Sequence, residues 1–202
     1  MIIGASGHSK VVIDAYTCAG YEYPLQIRDD NPDLVGQMIG AVSVTGAIGE
    51  PAGWPEYVHI AIGDNSVRKR FSRKLSGSGS TLFTIVHPES SIANSASIGR
   101  GVLVAAKSVI GPDVELGDCV IVNHTSVVDH DCQVGKYTHI APGAIIGGGC
   151  NIGSECLIGS GAILLPTVTI GKNVIVGSGA VVTGDIAEGK TFVGVPAKEL
   201  MK

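Results

Sequence analysis

Three histidines in the C-terminal half of the chain offer side chains suited to proton transfer. His124 and His130 are six residues apart, and His139 follows nine residues later. His130 stands between two acids, Asp129 and Asp131. A carboxylate that hydrogen-bonds one imidazole nitrogen fixes the ring tautomer and raises the basicity of the other nitrogen. The sequence therefore predicts that His130 is a general base, and it leaves open which acid orients the ring.

A glycine-rich segment near the start of the chain has the composition of a phosphate-binding turn. Residues 4–10, GASGHSK, follow a short apolar segment and precede a helical pattern. Such a turn presents backbone N–H groups and the positive end of a helix to an anion. The segment does not match GxGxxG, so a plain turn between strand and helix stays open. Asp29 and Asp30 end the next apolar segment, where such folds contact a ribose or base, although solvated turns have the same composition.

A six-residue repeat organises the chain from Val86 onward. Every sixth residue as far as Val182 is Val, Ile or Leu, and the residue two places before each of these, from Ile92 onward, is Ser, Ala, Val, Cys or Thr. Glycine often follows the aliphatic residue, as in Ile98-Gly99. The pattern predicts a chain wound as a triangular prism, in which three six-residue units make one coil of 18 residues and the aliphatic residues stack inside. Glycine is expected to tolerate the backbone conformation of the tight corners.

The first 85 residues have the pattern of a small α/β domain. We predict strands at residues 1–3, 25–28, 57–62 and 81–86, and helices at 11–19 and 66–75, the second capped by Asp64 or Asn65. Residues 76–80, SGSGS, have the composition of a surface loop. The chain is thus expected to divide into a Rossmann-like βαβ domain at residues 1–85 and a prism at residues 86–202.

Composition excludes several classes of partner. The net charge of −4 gives no overall attraction to nucleic acid or to an anionic membrane. The chain has no long apolar run free of charge and glycine, and its first ten residues lack the features of a signal peptide. Five cysteines without zinc-finger or CxxC spacing favour reduced thiols. We therefore expect a cytoplasmic protein with no nucleic-acid and no membrane partner.

A metal site is the alternative interpretation of the three histidines. All three face outward in the six-residue pattern, and prisms of the gamma-class carbonic anhydrases bind zinc through outward histidines. Spacings of six and nine residues place His124 and His130 on different parts of a coil, so they should not converge on one ion. Cys132, Cys150 and Cys156 occupy the inward small-residue position and are expected to be packed thiols. We expect no metal site.

Several motifs together resemble one family over essentially the whole chain. They are Gly4-Ala5-Ser6-Gly7-His8, Asp29-Asp30, Ala61-Ile62-Gly63-Asp64-Asn65 with Arg68, Asp129-His130-Asp131-Cys132 with His139, and Gly194-Val195-Pro196-Ala197-Lys198. In these motifs the chain resembles the PglD/NeuD family of bacterial sugar acetyltransferases. The resemblance implies an α/β Rossmann-like domain followed by a left-handed parallel β-helix, assembled as a homotrimer.

The resemblance also implies a reaction and its partners. Members transfer the acetyl group of acetyl-CoA directly to a sugar, without a metal. In most characterised cases the acceptor is the 4-amino group of a nucleotide-linked 4-amino-4,6-dideoxy sugar, and in others it is a hydroxyl of sialic acid. A noncatalytic binding prism is the remaining alternative. The nucleotide, which could be UDP, dTDP or GDP, is left open.

The resemblance assigns site residues in three groups. The catalytic pair is the base His130 with Asp131; the acetyl-CoA contacts are His139, Gly148, Ser160 and Ser178; the nucleotide-sugar contacts are Ser6, Gly7, His8, Asp29, Asp30 and Gly63. His139 corresponds to the residue that hydrogen-bonds the acetyl carbonyl. The closest relatives have Glu where this chain has Asp131, so Asp129 could share the orienting role. His124 stands where those relatives have a small polar residue.

Overall fold

The N-terminal domain is a four-stranded parallel sheet with one helix on each face. The structure is a computed structural model that describes residues 1–75 and 77–201; Ser76, in the predicted loop, and Lys202 lie outside the described residues. In chain order the elements are β1 (Ile2–Ile3), α1 (Gly7–Cys18), β2 (Ile27–Arg28), a 3₁₀ turn (Pro32–Leu34), β3 (Met38–Ile39), β4 (Val42–Ser43), a second 3₁₀ turn (Pro51–Gly53), β5 (Tyr57–Ile60), α2 (Asn65–Lys74) and β6 (Thr81–Leu82). The sheet order is β2-β1-β5-β6, and β3 and β4 form a separate hairpin.

Most boundaries of the N-terminal domain lie within about two residues of the sequence prediction, and two differences are larger. Helix α1 begins at Gly7, four residues before the predicted start, because Gly4 makes the turn with a φ of +103° and Ser6 already stands as the extended N-cap residue. The predicted strand at residues 81–86 divides in two: β6 joins the N-terminal sheet, and β7 (Ile85–Val86) is the first strand of the prism. The predicted cap of α2 is confirmed, since Asp64 accepts a hydrogen bond from the Val67 N–H at 2.8 Å.

The prism has three faces of short strands, each paired with the strand one coil away. The first, called the docking face, contains β7, β10 (Leu103–Val104), β13 (Ile121–Val122), β16 (His139–Ile140), β19 (Leu157–Ile158), β22 (Ile175–Val176), β24 (Thr191–Val193) and β25 (Lys198–Glu199). The second, called the apolar face, contains β8 (Ser91–Ile92), β11 (Val109–Ile110), β14 (Val127–Val128), β17 (Ile145–Ile146), β20 (Ile163–Leu164) and β23 (Val181–Val182). The third, called the polar face, contains β9 (Ser97–Ile98), β12 (Glu115–Leu116), β15 (Gln133–Val134), β18 (Asn151–Ile152) and β21 (Thr169–Ile170).

The repeat is confirmed by the core of the prism. Its aliphatic residues stack across parallel strands in register, as in Val104, Val122 and Ile140, and all three are buried. The small inward residues complete this core, among them the predicted thiols Cys132 and Cys150. Burying this aliphatic column is the main stabilising contribution to the coils.

Glycine follows the aliphatic residue for a reason other than the one expected. Gly135 does not adopt the left-handed backbone conformation; a Cβ placed on it would stand 2.5 Å from the backbone nitrogen of Ser154 in the next coil. The same close approach occurs at Gly153, where a Cβ would stand 2.6 Å from the nitrogen of Lys172. The expectation that glycine serves here to tolerate an unusual corner conformation was therefore wrong at these positions, where the spacing between coils excludes a side chain.

The outward residues of the docking face hold the two domains together. Ile85, Leu103 and Ile121 point away from the prism, yet they are buried because they share a core with residues of β1 and α1. The next residue in this column is His139, at the rim of the N-terminal domain. The apolar face carries Val109 and Ile145 in the corresponding outward positions, and both are exposed.

Candidate active site

The carboxyl ends of β1 and β5 form a crevice in the N-terminal domain. From β1 the chain first crosses to β2 on one side and later returns to β5 on the other, so the strand order reverses between β1 and β5. Parallel α/β sheets bind ligands at such a reversal. A Cβ on Gly4 would stand 2.8 Å from Ile62 Cγ1, so the loops after the two strands touch at the base of the crevice.

The predicted phosphate-binding residues stand at the N-terminus of α1 beside this crevice. Ser6 is the N-cap residue, and Gly7 and His8 begin the first turn. The Ser6 side chain makes no capping hydrogen bond. The first-turn N–H groups and the positive end of the helix dipole are therefore available to an anion.

The two acids after β2 have different surroundings. Asp29 accepts hydrogen bonds from the Ala5 N–H at 2.8 Å and from the Asn31 N–H at 2.9 Å, one on each carboxylate oxygen. Asp30 uses one oxygen to accept from the Ile48 N–H at 3.0 Å, and its side chain is more exposed. Asp29 thus holds the glycine-rich turn in place, while Asp30 keeps an oxygen for a ligand.

His8 and His139 face each other where the crevice meets the prism. Their ring centroids are 5.9 Å apart, and His139 Nε2 lies 3.1 Å from Nδ2 of Asn123. Burial is the main cause that lowers the pKa of His8 to about 3 and that of His139 to about 4. The nearby backbone of Gly63 acts in the opposite direction and raises the pKa of His139. Both rings are therefore neutral at physiological pH, and the structure brings Gly63, His8 and His139 together as one wall of the crevice.

His130 has the surroundings of a general base. Its Nδ1 lies 2.7 Å from Oδ2 of Asp131, and its backbone N–H donates to Oδ1 of Asp129 at 2.8 Å. The hydrogen bond to Asp131, followed by the charge of Asp129, raises the pKa of His130 above its usual value. The imidazole is 58% exposed. Asp131 therefore orients the ring, which the sequence had left open, and Nε2 is free to meet a substrate.

Gly148 lies directly beneath the His130 ring. It occupies the same corner one coil later, and a Cβ there would stand 2.6 Å from His130 Nε2 and 2.7 Å from Cε1. The missing side chain gives the imidazole its space over the backbone. Gly148, predicted as an acetyl-CoA contact, thus also determines where the base can lie.

The prism separates the predicted residues onto different corners. His130 and Gly148 lie on the corner between the apolar and polar faces, called the rear corner, which is opposite the docking face and the crevice. Ser160 and Ser178 are exposed on the corner between the docking and apolar faces, on the same column as His124. The structure therefore does not bring His130 and His139 together within one chain.

One mixed cluster of possible metal ligands occurs in the described part of the chain. Asp14, Cys18 and His87 have ligand atoms within 4.8 Å of one another, and the cluster includes none of the three histidines considered above. His87 Nδ1 accepts a hydrogen bond from the Glu89 N–H at 3.0 Å. The proton of the neutral ring is then on Nε2, which turns a donor rather than a lone pair toward Asp14.

Comparisons with known proteins agree with this architecture. The PglD N-terminal domain family matches residues 1–75, and the bacterial transferase hexapeptide family (six repeats) matches residues 149–184. The acetyltransferase domain of PglB from Neisseria gonorrhoeae FA1090 is 35% identical, with 98% of each chain covered and a TM-score of 0.91. The chain belongs to the PglD/NeuD-like family of bacterial sugar acetyltransferases.

Two further members of the PglD/NeuD-like family are similar over their whole length. A histidine variant of perosamine N-acetyltransferase from Caulobacter crescentus, solved with CoA and GDP-perosamine, is 35% identical, with 100% of this chain and 96% of that chain covered and a TM-score of 0.93. WeeI from Acinetobacter baumannii AYE is 29% identical, with 98% of each chain covered and a TM-score of 0.89. No curated protein sequence matches significantly. Among the described residues, no helix is both long and apolar enough to cross a membrane.

The sequence analysis missed two polar residues of this family member's site. The Asn123 side chain contacts the ring of His139. Asn123 directly follows an inward aliphatic residue, a position at which glycine is common, so a polar residue there could have indicated it. Arg68 was noted only as part of a motif, although it is buried between the domains. The contacts of Arg68 could not be inferred from spacing, because they join the two domains, whereas the 18-residue period places Asn123 one coil from His139.

Proposed function

We propose that this enzyme transfers the acetyl group of acetyl-CoA to the 4-amino group of a nucleotide-linked 4-amino-4,6-dideoxy sugar. The observation that carries the proposal is the His130–Asp131 pair, held with a free Nε2 over Gly148. Two relatives, each 35% identical, support the choice of substrates: one was solved with CoA and GDP-perosamine, and the other with acetyl coenzyme A. Four buried free cysteines support a reducing, cytoplasmic location.

The proposed reaction needs one base and no covalent intermediate. The amine lone pair attacks the thioester carbonyl carbon, a C–N bond forms, and His130 Nε2 accepts one amine proton. Collapse of the tetrahedral intermediate breaks the C–S bond, and the imidazolium returns the proton to the thiolate of CoA. Asp131 stabilises the imidazolium through Nδ1, and alignment of donor and acceptor supplies much of the remaining acceleration.

The acceptor is proposed to lie in the crevice of the N-terminal domain. Its phosphates would meet the first turn of α1 at Ser6, Gly7 and His8, while Asp30 would contact the nucleoside with its free oxygen. Gly63 and His139 would line the sugar end. His139 could donate to the acetyl carbonyl, as the family resemblance implies, by exchanging its present side-chain hydrogen bond.

A homotrimer would complete this site. His130 lies on the rear corner, so an acceptor in the crevice of one chain would have to meet His130 of a neighbouring chain. The apolar face offers the surface for such packing, because its outward column is Val109, Val127, Ile145, Ile163 and Val181. Acetyl-CoA would then run in the groove between two prisms, past Gly148, Ser160 and Ser178.

Ile145→Asp is expected to convert the trimer to a monomer, because the substitution would bury an unpaired carboxylate in the interface. Light scattering should show one chain per particle, and turnover should fall by about 100-fold or more while circular dichroism stays native. Asn151→Asp, on the polar face, is the matched control and should remain trimeric and active. A monomer with wild-type turnover would exclude a shared site.

Asp131→Asn is expected to change the pH profile. His130 must be neutral to accept a proton, so kcat/KM should fall as the pH drops through its raised pKa. The amide replaces the carboxylate whose hydrogen bond is the largest cause of the raised pKa, so the acid limb should move to lower pH and the plateau should fall. The measurement is kcat/KM from about pH 5 to about pH 9, because histidine side chains titrate within this range. An acid limb that does not move would mean that another group limits the rate.

The proposal is tested by thiol release from acetyl-CoA. GDP-, UDP- and dTDP-linked 4-amino sugars are supplied separately, with free sialic acid beside them, and the acetylated product is identified by mass spectrometry. Turnover with one amino sugar would establish the reaction and its nucleotide. Turnover with sialic acid alone would instead identify an O-acetyltransferase.

A further inference from the structure

Arg68 is a buried cation that joins the two domains. Its residue is 1% exposed, although it lies near the start of α2. Nε donates to the carbonyl of Cys119 at 2.8 Å, and one terminal nitrogen donates to the carbonyl of Tyr137 at 2.6 Å. The other terminal nitrogen donates to the carbonyls of Ile62 at 2.9 Å and Gly63 at 3.0 Å. Arg68 thus links the wall of the crevice to the prism.

The contacts of Arg68 continue through its neighbours onto a single corner of the prism. Cys119, Tyr137 and Glu155 are 18 residues apart and stack on the corner between the polar and docking faces. Asn65 accepts from Arg68 at 2.7 Å and donates to the carbonyl of Cys156 at 2.9 Å. Lys69, in the next turn of the helix, forms an ion pair with Glu155. The first turns of α2 therefore contact three successive coils.

Within the described part of the chain, none of the hydrogen bonds of this guanidinium is to a carboxylate. Its acceptors are four backbone carbonyls and the Asn65 side chain, while Asp64 is occupied as the cap of α2. Burial lowers the pKa of Arg68 to about 10, so the group remains charged at neutral pH. Carbonyl groups in several directions match the planar fork of a guanidinium, and a lysine ammonium has too few donors and no fork to replace it.

The contact with Gly63 connects Arg68 to the proposed acceptor site. The Gly63 backbone also lies near His139, whose pKa it raises against the effect of burial, and His139 is two residues after Tyr137, another acceptor of Arg68. We propose that Arg68 is a positioning residue that fixes the Gly63 wall against the prism and thereby sets the acceptor affinity, without touching the substrate. The kinetic consequence of this inference rests on the proposed function. The contacts of Arg68 that hold the two domains together, called the clasp, can be tested without turnover.

The kinetic test compares Arg68→Met and Arg68→Lys with Arg73→Met. Arg73 is an exposed arginine on the same helix and serves as the matched control. Loss of the guanidinium leaves buried carbonyl groups unpaired, so the Gly63 segment is no longer held against the prism. The KM for the nucleotide sugar should therefore rise by about tenfold or more in both Arg68 variants. The KM for acetyl-CoA should stay within about twofold, since its groove involves other corners.

A second measurement follows the docking of the two domains directly. Trp54 is the only tryptophan and is buried in the N-terminal domain, so its fluorescence reports unfolding of that domain, while differential scanning calorimetry records the unfolding of both domains. The two melting curves should coincide for the wild type and for Arg73→Met. In Arg68→Met the Trp54 transition should move to lower temperature and separate from the prism transition.

The outcomes distinguish the inference from the proposed function. If the wild type acetylates no nucleotide sugar, the proposed function fails, and the two melting curves still test the clasp. Coincident curves in Arg68→Met would overturn the clasp. Equal changes in both KM values would overturn the assignment to the acceptor, and full recovery in Arg68→Lys would show that charge, rather than the fork, is what matters.

Discussion

His130→Ala is expected to lower kcat by about 10²- to 10⁴-fold, which is the usual contribution of a general base. The imidazole is exposed, and among residues 1–75 and 77–201 it hydrogen-bonds Asp131 alone. Its removal should therefore leave the melting temperature and acetyl-CoA affinity close to those of the wild type. The measurement is steady-state thiol release at saturating acceptor, with acetyl-CoA binding measured by calorimetry.

The neighbouring acid supplies the matched control for His130→Ala. Asp129 bonds the backbone N–H of His130 and not its ring, and an amide oxygen can accept the same hydrogen bond. Asp129→Asn should therefore retain most of the activity. Near wild-type turnover in His130→Ala would exclude this histidine as the base.

Gly148→Ala is expected to have an effect almost as large, although it adds only a methyl group. The new Cβ would stand 2.6 Å from Nε2 of His130, so the ring must leave its position over the backbone. A displacement of about 1 Å in a catalytic group can cost on the order of 100-fold in rate. We expect a fall of this size in kcat, measured by thiol release, with little change in the melting temperature because an exposed side chain can move into solvent.

Two controls isolate the contact between Gly148 and His130. Gly184 occupies the same corner two coils later, and a Cβ there meets no atom within 4 Å, so Gly184→Ala should be active. In the His130→Ala background, Gly148→Ala should cause little further loss, because the clash has been removed with the ring. Additive losses in the double variant would mean that the methyl group acts on another contact, such as acetyl-CoA.

The prism could be predicted from the sequence because residues six positions apart occupy equivalent positions in the coils. Every sixth residue meets the same core, so the aliphatic column of Val104, Val122 and Ile140 follows from the sequence alone. The period does not reveal which outward residues become covered. Cys119 lies outside the inward positions of the repeat and occupies a corner, yet it is fully buried because α2 packs over it. That contact joins residues 51 positions apart.

The site was predictable by residue type and less so by geometry. The acid–histidine–acid segment predicts His130 as a candidate base, but its two acids are equivalent in sequence. The corner separates them: Asp131 takes a φ of +59° and turns its carboxylate to the ring, while Asp129 bonds the backbone. The division of labour between Asp29 and Asp30 depends in the same way on which backbone N–H groups the fold brings to each carboxylate.

The placement of His130 and His139 also constrains how the prism can vary in length. The two residues are nine positions apart, within one coil, and α2 contacts the coils around them through Cys119, Tyr137 and Glu155. His130 and His139 therefore stand at the same height along the prism axis, and the proposed threefold axis, if parallel to the prism, would preserve this match between neighbouring chains. Coils added beyond Glu155 would lengthen the prism without altering that height, whereas one coil inserted between Cys119 and Tyr137 would disrupt it.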